Sequence, residues 1–243
     1  PVLLGTAVGT FFNGAEFMVN KEQLSVLSMP VISQWATPWH GLEAVLNIWN
    51  VCLGIAVFFL ARVLAILYFM NNIDDESIRS QSWNRLLPES ISFLLFFLAF
   101  LAHWLIADGF AVNPDTQEIF MQPYKYALNL LEMPYVTSIL LVGVILVLWG
   151  IGKTYLNPSY REGIWFSGTG TVLTVLALLL CAGWNHTAYY PSITDLQSSL
   201  TLQNSCSSPF TLKVMSYVSI LIPFVLAYIF YAWRAIDLKP GKK

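Results

Sequence analysis

Arg62 sits inside "VFFLARVLAILYFMNN", residues 57–72, a stretch otherwise almost wholly apolar. Glu16, His103, Asp108 and Glu132 likewise fall within apolar runs, and Glu43 stands at the edge of one. Ionisable groups in such runs are costly and normally face protein or water rather than lipid, so any chemistry of the chain should involve them. Three chemistries come into question. A histidine within a helix can ligate haem iron. Acids at a common depth can pass protons or hold a coupling ion. An arginine can neutralise a buried carboxylate. For His103 an axial pair is hard to complete, because His40 and His186 fall in interfacial or loop positions and the methionines are scattered. A hydrogen-bonded histidine within a bundle is the plainer reading. His103 and Asp108 are five residues apart and point in different directions on a helix. Glu16, Asp108 and Glu132 share a depth, so a proton path through them is one reading and structural hydrogen bonding another.

Arg62 lies eight residues before Met70, roughly 12 Å from the inner helix end at about 1.5 Å per residue. The three acids fall in the opposite third of the membrane, out of its reach. Arg62 is therefore expected to snorkel to the interface or to bond helix-end carbonyls, with a partner outside this chain as the alternative. No nucleophile motif occurs, and "GTGT" at 168–171 lies within an apolar run, without the strand-to-helix setting of a phosphate loop. Cys52 and Cys181 lie in apolar runs and Cys206 in a loop, with no metal spacing and no expected disulfide.

The elements that hold these residues follow from hydropathy. Of 243 residues, 56% are hydrophobic and 11% charged, against about a quarter charged in soluble domains. The apolar residues come in blocks near the ~20 residues that cross a bilayer. The expected fold class is all-α, a polytopic transmembrane helix bundle forming a single integral membrane domain over 1–243. Six spans are expected, at about 2–19, 44–70, 90–112, 127–151, 164–184 and 212–235. Pro134 and Pro223 should kink the fourth and sixth rather than break them. Loops 71–88 and 152–163 and the C-terminal tail carry eight Lys and Arg residues, and the other loops carry three, Lys21, Lys125 and Lys213. That asymmetry places the C-terminus in the cytoplasm. Trp35, Trp39, Trp83, Trp149, Trp165, Trp184 and Trp233 stand near span ends, as headgroup-level tryptophans do. No basic stretch suggests nucleic acid.

Helical spacing groups the polar residues further. Glu43, Asn47, Asn50 and Gly54 form one stripe, expected to face other helices. Lys125, Asn129 and Glu132 share a face, and Gly170, Thr174, Ala177 and Cys181 form a small-residue packing surface. The chain starts at Pro1 without a charged leader region, which is read as a piece of a longer protein.

Four blocks, taken together and in order, resemble subunit II of the cytochrome bd-type quinol oxidases. They are "GTFFNGAEF" at 9–17, the block from "GLEAVLNIWN" through "FLAR" to "FMNNI" at 41–73, "NLLEMP" at 129–134, and "YYPSITDLQSSLTLQNSCSSPFTLKVM" at 189–215. The resemblance covers essentially the whole chain and matches it to the last six of about nine spans.

It implies a non-haem subunit of a complex in the bacterial cytoplasmic (inner) membrane that oxidises quinol and reduces dioxygen to water, generating proton motive force. No cofactor is then bound by this chain. Haems b and d belong to the partner, subunit I; a bound quinone or lipid is compatible with the bundle, though no motif demands one. The implied partners are subunit I, membrane lipids and the quinol/quinone pool. No catalytic or metal-binding residue carries over. Glu16, Glu43, Asn47, Asn50, Arg62, His103, Asp108, Glu132 and Lys213 are read as a polar network that holds the fold. The competing reading is a polytopic transporter with an acidic coupling-ion site in the outer half of the membrane. It lacks the internal repeat such proteins often show.

Overall fold

The computed structural model of the chain describes residues 1–20 and 33–237. Lys21, Lys239, Lys242 and Lys243, which enter the charge asymmetry, lie outside the described residues. Close backbone approaches divide the chain into two units, Pro1–Leu202 and Gln203–Lys243.

The first unit is a helical bundle with a small β-rich cap. Its helices are α1 (Val2–Asn13), α2 (Ile48–Asn72), α3 (Glu76–Ile106), α4 (Lys125–Glu132), α5 (Pro134–Leu156) and α6 (Gly163–Gly183). The second unit holds α7 (Pro209–Ser219) and α8 (Ile222–Asp237). The ends follow local chemistry. Asn47 caps α2 by accepting from Trp49 N, Asp75 caps α3 by accepting from Ile78 N, and Ser208 caps α7 by accepting from Thr211 N. Pro134 opens α5 and Pro209 opens α7 at the first turn, where a missing N–H costs nothing.

The all-α membrane bundle is as expected, but its division into spans is not. Four helices of the first unit, α2, α3, α5 and α6, are long and apolar enough to cross a bilayer, as is the stretch Pro209–Ile236 in the second. The first expected span is shorter than 2–19. Helix α1 has 12 residues, roughly 18 Å, and ends at Gly14, whose φ of 86° few residues but glycine adopt. Beyond it Phe17–Val19 is a strand, β1. The second span starts later, because Leu42–Leu46 is a 3-10 turn before Asn47. The third is helical from Glu76, well before residue 90, and stops at Ile106. Pro88 lies within this helix, tolerated as membrane helices tolerate proline. At Pro134 the helix breaks rather than kinks, since Met133 separates α4 from α5. The last span is interrupted at Ile220–Leu221, just before Pro223.

Helices α5 and α6 pack along a seam of small residues. A Cβ built on Gly143 would stand 2.6 Å from Thr174 Oγ1, and one on Gly170 2.5 Å from Gly143 O. Gly170, Thr174, Ala177 and Cys181 are all buried, so the expected packing surface is present. Two apolar clusters fill the bundle. Phe12 meets Phe100, Trp104 and Tyr126 edge to face, with ring centroids 5.7, 5.8 and 6.1 Å apart. Val63, Leu67, Met70, Leu86 and Phe93 form the second with Val147 and Ile151.

The cap comes partly from the ends of the expected spans 2–19 and 90–112 and partly from expected loops. Phe17–Val19 pairs antiparallel with β2, Ser33–Trp35. Gly109–Val112 (β3) pairs with Ile119–Gln122 (β4) across an Asx turn in which Asn113 Oδ1 accepts from Asp115 N. The loop after α6 ties both hairpins together through the bridges Ala15–Ser192 and Ala111–Thr187.

Candidate functional site

Three polar constellations of the first unit hold part of the residues singled out by sequence. The first is at Arg62. It does not snorkel or reach helix-end carbonyls. Arg62 Nε donates to Glu89 Oε2 at 2.8 Å, and Nη2 donates to the other carboxylate oxygen. The guanidinium also lies over Phe58, 5.6 Å from the ring centroid. Glu89 lies just outside the expected third span, which starts at about residue 90, whereas the helix starts at Glu76. Extending α3 back to Glu76 places Glu89 on a helix beside Arg62. The Arg62 side chain is 46% exposed and that of Glu89 8%, so the pair sits on the flank of the bundle with the acid turned inward.

The second constellation clasps α4, α6 and the cap. Lys125 Nζ donates to Asn185 O at 2.9 Å. Asn185 Nδ2 donates to Asn129 Oδ1 and to Glu132 Oε2. Asn129 Nδ2 donates in turn to Cys181 O and Thr187 Oγ1, at 2.9 and 2.8 Å. Lys125, Asn129 and Glu132 do share a face, and Asn185 is their common partner. Asn185 and His186 stand at φ of 57° and 53°, which reverses the chain after α6 and presents the Asn185 amide and carbonyl to α4. Burial holds the Lys125 ammonium below its ordinary pKa, with the Glu132 charge opposing. A lysine whose folded value is depressed destabilises the fold while charged. Stability should therefore rise as pH climbs from that value toward the free-lysine value of about 10.4. Lys125→Met is expected to flatten that alkaline rise in a thermal-unfolding series. Asn129→Leu removes the donor to Cys181 O and Thr187 Oγ1 and one acceptor of the Asn185 amide, and should cost about 1–3 kcal/mol. An unchanged thermal midpoint would show that the clasp does not support the fold.

The third lies where α1 ends and α2 begins. Asn13 Nδ2 donates to Asn50 Oδ1 at 2.7 Å, and Asn50 Nδ2 donates to Ala44 O. Gly54 packs against Thr6 and Val2 of α1, as the stripe of Asn50 and Gly54 led one to expect. The stripe is not one helix, however, since Glu43 belongs to the 3-10 turn and Asn47 is the cap.

The remaining residues lie outside these three hydrogen-bonded groups. His103 stacks flat on Trp49, centroids 4.0 Å apart at 4°. Asp108 is exposed beyond the end of α3 and Glu16 follows α1, so neither lies within a helix as drawn. Lys213 is exposed on α7 in the second unit. Among the described residues no three His, Cys, Asp or Glu side chains converge as metal ligands would. The serines of the 189–215 block brace the cap. Ser192 Oγ donates to Phe17 O at 2.5 Å, Ser198 Oγ accepts from Val19 N at 2.9 Å, and Ser199 Oγ accepts from Ser192 N at 2.9 Å. An apolar cavity of about 470 Å³ opens between α1, α2, α3, α5 and α6, with Val8, Leu60, Phe97, Leu148 and Val175 on its walls.

Against known families, the model for cytochrome bd terminal oxidase subunit II matches residues 1–236. The chain belongs to this family. Among its curated relatives is the cytochrome bd-I ubiquinol oxidase subunit 2 of Escherichia coli K12. It is 24% identical over 240 residues, which cover 94% of this chain and 59% of the relative. The same-named proteins of E. coli O6:H1 and O157:H7 match equally. The chain thus spans about three-fifths of the length of these relatives. All four blocks quoted from the sequence fall within the stretch matched to subunit II. In this subunit II they correspond to the turn after α1, the Arg62 helix, the break at Met133 and the serine-braced loop.

Proposed function

We propose that the chain serves, within its full subunit, as the non-haem partner in a membrane complex that oxidises quinol and reduces dioxygen to water. Membership of the subunit II family carries this reading. Arg62 with Glu89, and Lys125, Asn129, Glu132 and Asn185, support it, since these side chains are engaged with one another or with the backbone. His103 is read as a packing residue rather than an axial haem ligand, its ring lying flat on Trp49. Haems b and d then belong to subunit I, and no redox step runs through these residues. Their work is to hold helices and cap in the shape that subunit I meets. The chain forms one integral membrane domain of the bacterial inner membrane, with the Arg- and Lys-rich loops and the C-terminus in the cytoplasm. The apolar cavity has the lining and the size, within about 300–1,000 Å³, of a site for a lipid or quinone chain.

The test is co-expression of the full-length subunit with the subunit I of the same organism, followed by mild detergent extraction. A pigmented complex that consumes oxygen with ubiquinol is expected, whereas the subunit purified alone should show no haem absorbance. Haem retained by the lone subunit overturns the assignment.

A further inference from the structure

A polar cavity of about 50 Å³ lies in the first unit where the end of α1 meets the turn before α2. Asn13, Glu16, Glu43, Asn47 and Asn50 contribute to its wall. Two turns of backbone shape it, at Gly14 (φ 86°) and Gly41 (φ 93°), both in the region that favours glycine. Both carboxylate oxygens of Glu43 are sealed, each exposing less than 1 Å², and neither meets a hydrogen-bond donor. Two of the three asparagine amides on the wall are committed elsewhere. Asn13 Nδ2 is held by Asn50, Asn50 Nδ2 by Ala44 O, and the N–H of Trp49 by Asn47.

A sealed carboxylate without a donor is unfavourable unless positive charge meets it. Among the described residues no lysine, arginine or histidine stands on this wall. The wall instead offers two carboxylates and amide oxygens, with formal charge −2 and no sulfur or imidazole. That oxygen-only set selects a hard cation over a transition metal. Its charge matches a divalent ion. Its side chains come from a turn and two helix ends rather than from one rigid element, which suits the irregular oxygen shell of calcium better than the strict octahedron of magnesium. The volume exceeds that needed for a single water and admits an ion with part of its hydration shell.

We infer that this cavity is a calcium site in which Glu43 and Glu16 supply the charge and the asparagines supply neutral oxygens. It is independent of electron transfer, so its test does not rest on oxidase activity. The full-length subunit, in complex with its co-purified partner, is stripped with EGTA and titrated with CaCl2 at constant ionic strength while thermal unfolding is followed. A saturable rise in the midpoint is expected for the wild type. E43Q should abolish it, and E16Q should weaken the apparent affinity at least tenfold. An equal rise with MgCl2 or NaCl, or an unchanged rise in E43Q, overturns the site. Should E43Q fail to assemble, Tb³⁺ luminescence on the wild-type complex decides. Trp35, whose ring lies against Gly41, is placed to sensitise the ion. Displacement of that signal by Ca²⁺ supports the site, and no sensitised signal or no displacement overturns it.

Discussion

Glu89→Leu is expected to lower the yield of folded subunit about tenfold or more. The substitution removes the bidentate partner of Arg62 and leaves a guanidinium on the flank of an apolar helix pair. Breaking a buried ion pair from one side costs about 3–5 kcal/mol, and an unpaired arginine near a helix centre about 2.5–3.5 kcal/mol on insertion scales. Arg62 is half exposed and can lean toward the interface, which keeps the effect near 3 kcal/mol. The companion variant separates pairing from packing. Replacing both residues together, Arg62→Leu with Glu89→Leu, removes the stranded charge and should recover most of the yield, because apolar replacements of buried pairs are often neutral. Size-exclusion profiles of detergent extracts, read beside membrane-fraction blots, check this. A double variant as poor as the single would mean that the charge itself is needed, for instance by a neighbouring chain.

The second large effect is expected at the α5–α6 seam. In Gly170→Val the new side chain meets backbone on the facing helix, Gly143 O at 2.5 Å and Val147 N at 2.7 Å from the Cβ position. Backbone cannot rotate aside as a side-chain tip can, so the helices must part and lose their interdigitation. A cost of about 3 kcal/mol corresponds to a fall of about 6–12 °C in the thermal midpoint for a chain of this size. Gly168 and Gly152 provide internal controls, because a Cβ on either has nothing within 4 Å. Gly168→Val, on the same helix and two residues away, should shift the midpoint by little more than the loss of a flexible residue would. If the two valines behave alike, close approach is not what holds the seam.

These contrasts show what can be read from apolar pattern. Helix α6 is drawn at 164–184 and found at Gly163–Gly183, because its apolar run is uninterrupted and turn residues bound it. Helix α1 is overdrawn because Phe17–Val19 continues the apolar run while pairing as a strand. Hydropathy does not distinguish the two over three residues. The start of α3 is missed for the opposite reason. Its first turns are polar and look like loop, although Asp75 is a sound cap, and with them goes Glu89. The clasp is half visible. Lys125, Asn129 and Glu132 fall into helical register, whereas Asn185 reaches them only through a left-handed backbone turn that no spacing rule announces. The stacking of His103 on Trp49 joins residues 54 apart, and only the antiparallel course of α2 and α3 brings them together.

The serine-braced cap bears on the order in which the molecule can be made. Val19 is hydrogen-bonded by Ser198 and Phe17 by Ser192, partners 179 and 175 positions along the chain. Local helices close quickly, but a junction of such sequence separation waits for loop closure across nearly the whole polypeptide. While a ribosome is still producing α5, the cap ends of α1 and β1 have no serines to meet. The nascent bundle therefore passes through a stage with one end unlatched, and the late serine loop acts as the closing stitch.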